Sequence, residues 1–143
     1  MKTLDPGTHP LLEYTVIKQL MPNRIRHLAP ILPVKNLARA MDFYRRLGFH
    51  AEPYQNGDGY GFLCRDRIEM HLSQTDMLIE NRNPCGVYFY LERGTAAALE
   101  AEFRAAGATI LSPLAPRQWK MNEFVLSDPD GNLLRFGEDI SAV

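Results

Sequence analysis

Residues 31–49 read ILPVKNLARAMDFYRRLGF. A short apolar run ends at Val34, and Asn36 stands where a helix N-cap belongs. Ala38, Met41, Phe43, Tyr44 and Leu47 then recur at helical spacing, and Gly48 closes the segment behind the basic pair Arg45-Arg46. The stretch predicts a strand over 28–34 followed by a helix ending at Gly48. Three more strands are predicted beyond it: Phe49 to Gln55, Tyr60 to Cys64, and Ile68 to Ser73. Asn56-Gly57-Asp58-Gly59 and Arg65-Asp66-Arg67 separate them as hairpin turns would. Residues 74–85 (QTDMLIENRNPC) are polar and contain proline, the composition of a linker.

The same pattern then returns. Gly86 to Leu91 (GVYFYL) reads as a strand, and Thr95 caps a helix running through Leu99 and Phe103 to Ala106, ended by Gly107. Ala108 to Leu111, Glu123 to Ser127 and Leu133 to Phe136 read as strands, the last two joined by the turn Asp128-Pro129-Asp130-Gly131. At the 59-residue offset between Gly48 and Gly107, Tyr44 meets Phe103 and Ala38 meets Ala97. The chain therefore reads as two tandem βαβββ modules, 26–73 and 86–140, in one α+β domain spanning 26–143. Residues 1–25 read as an N-terminal extension, with turns at Asp5-Pro6-Gly7 and His9-Pro10 around a short apolar stretch. Met21 suggests an alternative start, so an appendage and a mis-assigned start are both open readings.

Composition bounds the function. With 143 residues, 45% apolar and 23% charged, the chain can bury a real core, which excludes a disordered tail. A net charge of −1 gives no footprint for nucleic acid. No apolar run is long enough to span a membrane, and the N-terminus is neither a secretory nor a transit signal, so a cytoplasmic protein is expected. Cys64 and Cys85 lack metal-binding spacing and read as reduced, buried thiols.

One helix covers one face of a four-stranded sheet, so the other face is left to a partner or a ligand. Two modules with open faces turned inward make a cupped mixed sheet around a cavity. Side-chain alternation says what lines it. In Ile68–Ser73 one set is apolar (Ile68, Met70, Leu72) and the other polar (Glu69, His71, Ser73). The same logic turns Tyr88 and Tyr90, Arg135, and Tyr60 with Phe62 toward the cup.

Two stretches carry a resemblance. ILPVKNLARAMDFYRRLGF resembles the opening strand and helix of the glyoxalase I/bleomycin resistance/extradiol dioxygenase superfamily, the vicinal oxygen chelate fold. RQWKMNEFVLSDPDGNLLRFGE (117–138) resembles the closing segment of its bleomycin-resistance branch. The resemblance implies four inward strand positions that hold a divalent metal in catalytic members. Here they fall on Ala29, His71 (with Glu69 as the other register), Gly86 and Arg135. Ala and Gly offer no donor and Arg repels a cation, so no metal, no other cofactor and no catalytic residue is expected. The resemblance implies instead a homodimer that sequesters a planar or glycopeptide antibiotic of the bleomycin type without turnover. Trp119 is the first candidate for contacting it, with Phe124, Tyr60, Phe62, Tyr88 and Tyr90 as groove wall and Glu69, His71 and Arg135 as polar lining. Arg135 could hold an anion or pair with Glu69. The alternative is a metal-dependent lyase or dioxygenase with a non-standard site at His71, Glu69 and His27.

Overall fold

A computed structural model of the chain describes residues 22–55, 59–79, 82 and 85–142. The expectations for residues 1–21 and for the centre of the first hairpin turn lie outside the described residues. The first module contains β1 (Ile31–Val34), α1 (Leu37–Arg46), β2 (His50–Pro53), β3 (Tyr60–Arg65) and β4 (Ile68–Gln74). The second contains β5 (Gly86–Leu91), α2 (Ala96–Ala105), β6 (Ile110–Pro116), β7 (Met121–Ser127) and β8 (Leu133–Asp139).

The two sheets share one topology, with strand orders β1-β4-β3-β2 and β5-β8-β7-β6. In each, the first strand runs parallel to the last and the remaining pairs are antiparallel. The helices end alike. Gly48 and Gly107 adopt positive φ, and the residue after each (Phe49, Ala108) donates back to Tyr44 and Phe103 respectively. That left-handed closure is why both positions are glycine. The helix starts differ. Asn36 Oδ1 accepts the Arg39 amide at 2.9 Å, whereas the Thr95 hydroxyl makes no capping bond, so Thr95 caps by position alone.

Alternation buries Leu32, Val34, Leu63, Met70 and Leu72 toward α1 and Phe89, Leu134 and Phe136 toward α2, whereas Ile68, at the start of β4, is exposed. These helix-side residues form one apolar core through both modules, with Phe49 meeting Phe89 at the junction. The closing turn of the second module adds a polar lock. Asp128 accepts from the Tyr44 hydroxyl (2.8 Å), the Asn132 side chain (2.7 Å) and the Asp130 and Asn132 amides, while Asn132 donates to the Pro33 carbonyl. Burial holds the Asp128 carboxyl above its ordinary value, and these donors pull the other way. From the first module, Arg65 reaches Glu102 (2.7 Å) and lies over the Phe103 ring.

The two tandem modules carry the mixed sheets expected of them, one four-stranded sheet each, and the contacts joining the modules run through helix-side residues and closing turns. Phe62 and Tyr90 remain exposed on the open faces within one chain. Other expectations need correction. The cysteines are free, but Cys64 is exposed and Cys85 half-buried, because Cys64 pairs with His50 on the open side of its sheet. Ala29 precedes β1, which begins only at Ile31.

Candidate functional site

The open face of the first module is organised by one histidine. His71 on β4 lies beside Ile31 on β1 and Phe62 on β3 in register, so all three project to one side. Its ring meets Phe62 edge-on at 4.9 Å and Tyr60 at 5.4 Å. Nε2 of His71 lies 2.9 Å from one Glu69 oxygen, and Nε2 of His27 lies 3.1 Å from the other. A carboxylate only accepts, so Nε2 of His71 carries the proton. In the neutral ring Nδ1 then accepts from the Tyr60 hydroxyl at 2.7 Å. The hydrogen bond from His71 holds the Glu69 carboxyl below the usual carboxylate range, with His27 adding to it.

The open face of the second module is organised by a carboxylate. Glu123 on β7 lies opposite Gly137 on β8, with Tyr90 of β5 in the same row, and is only 2% exposed. Its Oε2 accepts the Tyr88 hydroxyl at 2.7 Å and the Trp119 indole N–H at 3.2 Å. Arg117 stands 3.6 Å from Oε1 and donates to the Ser112 hydroxyl. Gly137 makes this possible, because a Cβ there would collide with the Tyr88 hydroxyl as it crosses the sheet. Burial and the Glu123 carboxylate push the Tyr88 phenol up, which keeps it a protonated donor. Trp119 leaves 51% of its surface exposed, so its N–H is fixed while its ring faces outward.

The structure thus places Tyr60, Phe62, Glu69 and His71 together on one open face, and Tyr88, Tyr90, Trp119 and Arg135 on the other. Phe124 is a correction. It is fully buried against Phe103 and Phe136 on the helix side, because its register partner on β8 is Phe136. Arg135 does not pair with Glu69 within the chain, since Glu69 is engaged by His27 and His71. Glu123 joins the site although its sequence context does not mark it. Its sequence signal is slight, a carboxylate between the apolar Met121 and Val125 at alternate positions of the strand.

The residues do not fit the metal that the fold's catalytic members use. Of the four positions, Ala29 and Gly86 offer no donor, only His71 or Glu69 in the other register does, and Arg135 brings positive charge. Although Glu69 is shared by two histidines, no group of three His, Cys, Asp or Glu among the described residues is arranged to hold a metal. No helix among them is long and apolar enough to cross a membrane. A separate cleft of about 590 Å³ lies between the modules, lined by Phe49, Phe89, Phe103, Phe136, Arg65 and Arg67 among others.

The sequence model of the Glyoxalase/Bleomycin resistance protein/Dioxygenase superfamily matches residues 24–136. No curated protein matches the chain. Among solved structures, a bleomycin resistance determinant encoded on the transposon Tn5 superposes with a TM-score of 0.70 at 21% identity, covering 80% of this chain and 98% of that one. A bleomycin-binding protein complexed with bleomycin superposes at 0.67 with 22% identity, covering 80% and 99%. A glyoxalase/bleomycin resistance protein/dioxygenase from Nocardioides superposes at 0.68 with 16% identity, covering 93% and 94%. At these identities the likeness is one of fold.

Proposed function

The chain belongs to the glyoxalase/bleomycin resistance protein/dioxygenase superfamily, and from that premise we propose that it is a homodimeric binding protein that sequesters a planar aromatic small molecule without chemical turnover. The observation that carries this reading is Trp119, a half-exposed indole whose N–H is bonded to a buried carboxylate while its ring is presented on an open sheet face. An indole held this way can stack on a flat heteroaromatic guest, and its π-face attracts a cationic tail. Ile31, Phe62, Tyr90 and Trp119 are exposed apolar groups on the two open faces. A second copy that sets the open face of its other module against them makes a groove with aromatic walls, the kind of concave apolar site small molecules occupy. A bleomycin-type antibiotic is the first guest to test, since proteins of this fold include one solved with bleomycin bound.

The test is a fluorescence titration. Trp119 is the sole tryptophan of the chain, so its emission reports the site directly. Bleomycin should change that emission saturably, mass spectrometry should recover the drug unaltered, and Trp119→Ala should weaken binding measured by calorimetry. A flat titration with several bleomycin-type compounds removes the antibiotic reading. Stoichiometric nickel, zinc, iron or manganese in protein purified without a His-tag, or a modified drug, overturns the binder in favour of an enzyme.

A further inference from the structure

We infer that Glu123 is the positioning residue of this site: its buried carboxylate fixes the indole plane of Trp119 before any ligand arrives. The inference rests on Trp119 being the binding platform, but its first test needs no ligand. Two donors from separate segments converge on one carboxylate oxygen, Tyr88 from β5 and Trp119 from the turn before β7, while Arg117 at the start of that turn stands 3.6 Å from the other oxygen as counter-charge. Trp119 is next to Lys120, whose φ of 64° and amide bond back to the Arg117 carbonyl make this a tight turn. The turn sets where the indole begins, and the Nε1–Oε2 bond sets which way its face points. Without that bond, a side chain with half its surface in water is free to change rotamer.

An unpaired carboxylate so deeply buried would be costly, so an acid at this position needs partners. Arg117 supplies the counter-charge, and its Nε has no hydrogen bond of its own among the described residues. Tyr88 and Trp119 supply neutral donors to the same oxygen, and Gly137 leaves the space in which Tyr88 crosses to it. A leucine at 123 would fill the core without any of these partners. The arrangement therefore does something that packing alone does not require: it orders an exposed aromatic ring. Ordering a side chain before binding removes that entropic cost from the binding step, worth roughly two- to tenfold in affinity.

The experiment compares wild type with Glu123→Leu, Glu123→Gln and Tyr88→Phe, each checked for folding by circular dichroism. In ligand-free protein the Trp119 indole N–H should give a slowly exchanging NMR signal and the ring a high fluorescence anisotropy. In Glu123→Leu the signal should exchange faster, the anisotropy fall and acrylamide quenching rise. Glu123→Gln, which keeps an acceptor oxygen, should restore part of the difference. Tyr88→Phe, which removes a hydroxyl within hydrogen-bonding reach of the indole but keeps the Glu123 acceptor, should loosen the indole less than Glu123→Leu does. If Glu123→Leu does not fold, wild-type exchange and Glu123→Gln decide the matter. An indole N–H in wild type that exchanges like a free surface tryptophan overturns the inference. So does a folded Glu123→Leu with unchanged anisotropy. With bleomycin as probe, Glu123→Leu should bind roughly two- to tenfold more weakly than wild type. If no variant or wild type binds bleomycin but the ligand-free differences hold, the antibiotic reading fails and the positioning role stands.

Discussion

The two modules have one topology and opposite chemistry on their open faces. In the first, an exposed carboxylate, Glu69, bridges two histidines at the surface. In the second, a buried carboxylate, Glu123, gathers a tyrosine, a tryptophan and an arginine. The difference is one of solvent. Exposed charge pairs contribute little because water screens them and long side chains lose entropy in pairing. A buried carboxylate must be satisfied completely, so it dictates the geometry around it. A repeated fold thus yields one face whose polar groups are free to rearrange and one whose geometry is fixed.

The contrast can be broken most decisively in the core. Phe124→Ala removes a fully buried ring and should cost about 3–5 kcal/mol in chemical denaturation, whereas Phe62→Ala, on an open face, should cost less than about 1 kcal/mol. Similar losses from both would mean that the helix-side and open faces have been misassigned. The closing turns come next. Asp128→Ala strips a carboxylate bonded to Tyr44, Asn132 and two amides, and should cost about 2–4 kcal/mol. Arg65→Ala breaks a partly exposed pair with Glu102 and should cost about 1 kcal/mol. If Arg65→Ala proved the costlier of the two, the first module's turn would be the principal lock instead.

The smallest expected effect concerns pH. Glu69 has its carboxyl held below the ordinary range, so the folded state favours the ionised form. Its contribution is therefore present above the ordinary carboxylate value and is lost as pH falls through the lowered one. Melting temperatures of wild type and Glu69→Gln should diverge slightly at neutral pH and converge in acid. A gap that widens toward acid would contradict the hydrogen bonding drawn for His71 and His27.

Much of the fold was legible because few residue types can do the jobs concerned. Gly48 and Gly107 sit where the chain turns left-handed, and that alone exposes the repeat. The polar-apolar alternation of Ile68–Ser73 similarly fixed which side of β4 faces α1. Strand ends were less readable: β6 runs on to Pro116 through two prolines, tolerated because it is an edge strand with irregular pairing to β7. The motif around Phe124 does not carry its register, and the structure sets it opposite Phe136 on the helix side. The role of Glu123 lay beyond the sequence, since its partners come together only when β5, β7 and the Arg117–Lys120 turn are assembled.

The central claim is that Trp119 is an ordered platform awaiting a flat guest. Its most direct test is an equilibrium titration of the purified protein with bleomycin, followed by the emission of this sole tryptophan. A saturable change in emission is expected, together with calorimetric binding of bleomycin that is weaker in Trp119→Ala than in wild type. Emission that stays flat across bleomycin-type compounds, while calorimetry detects binding that Trp119→Ala leaves intact, would contradict it.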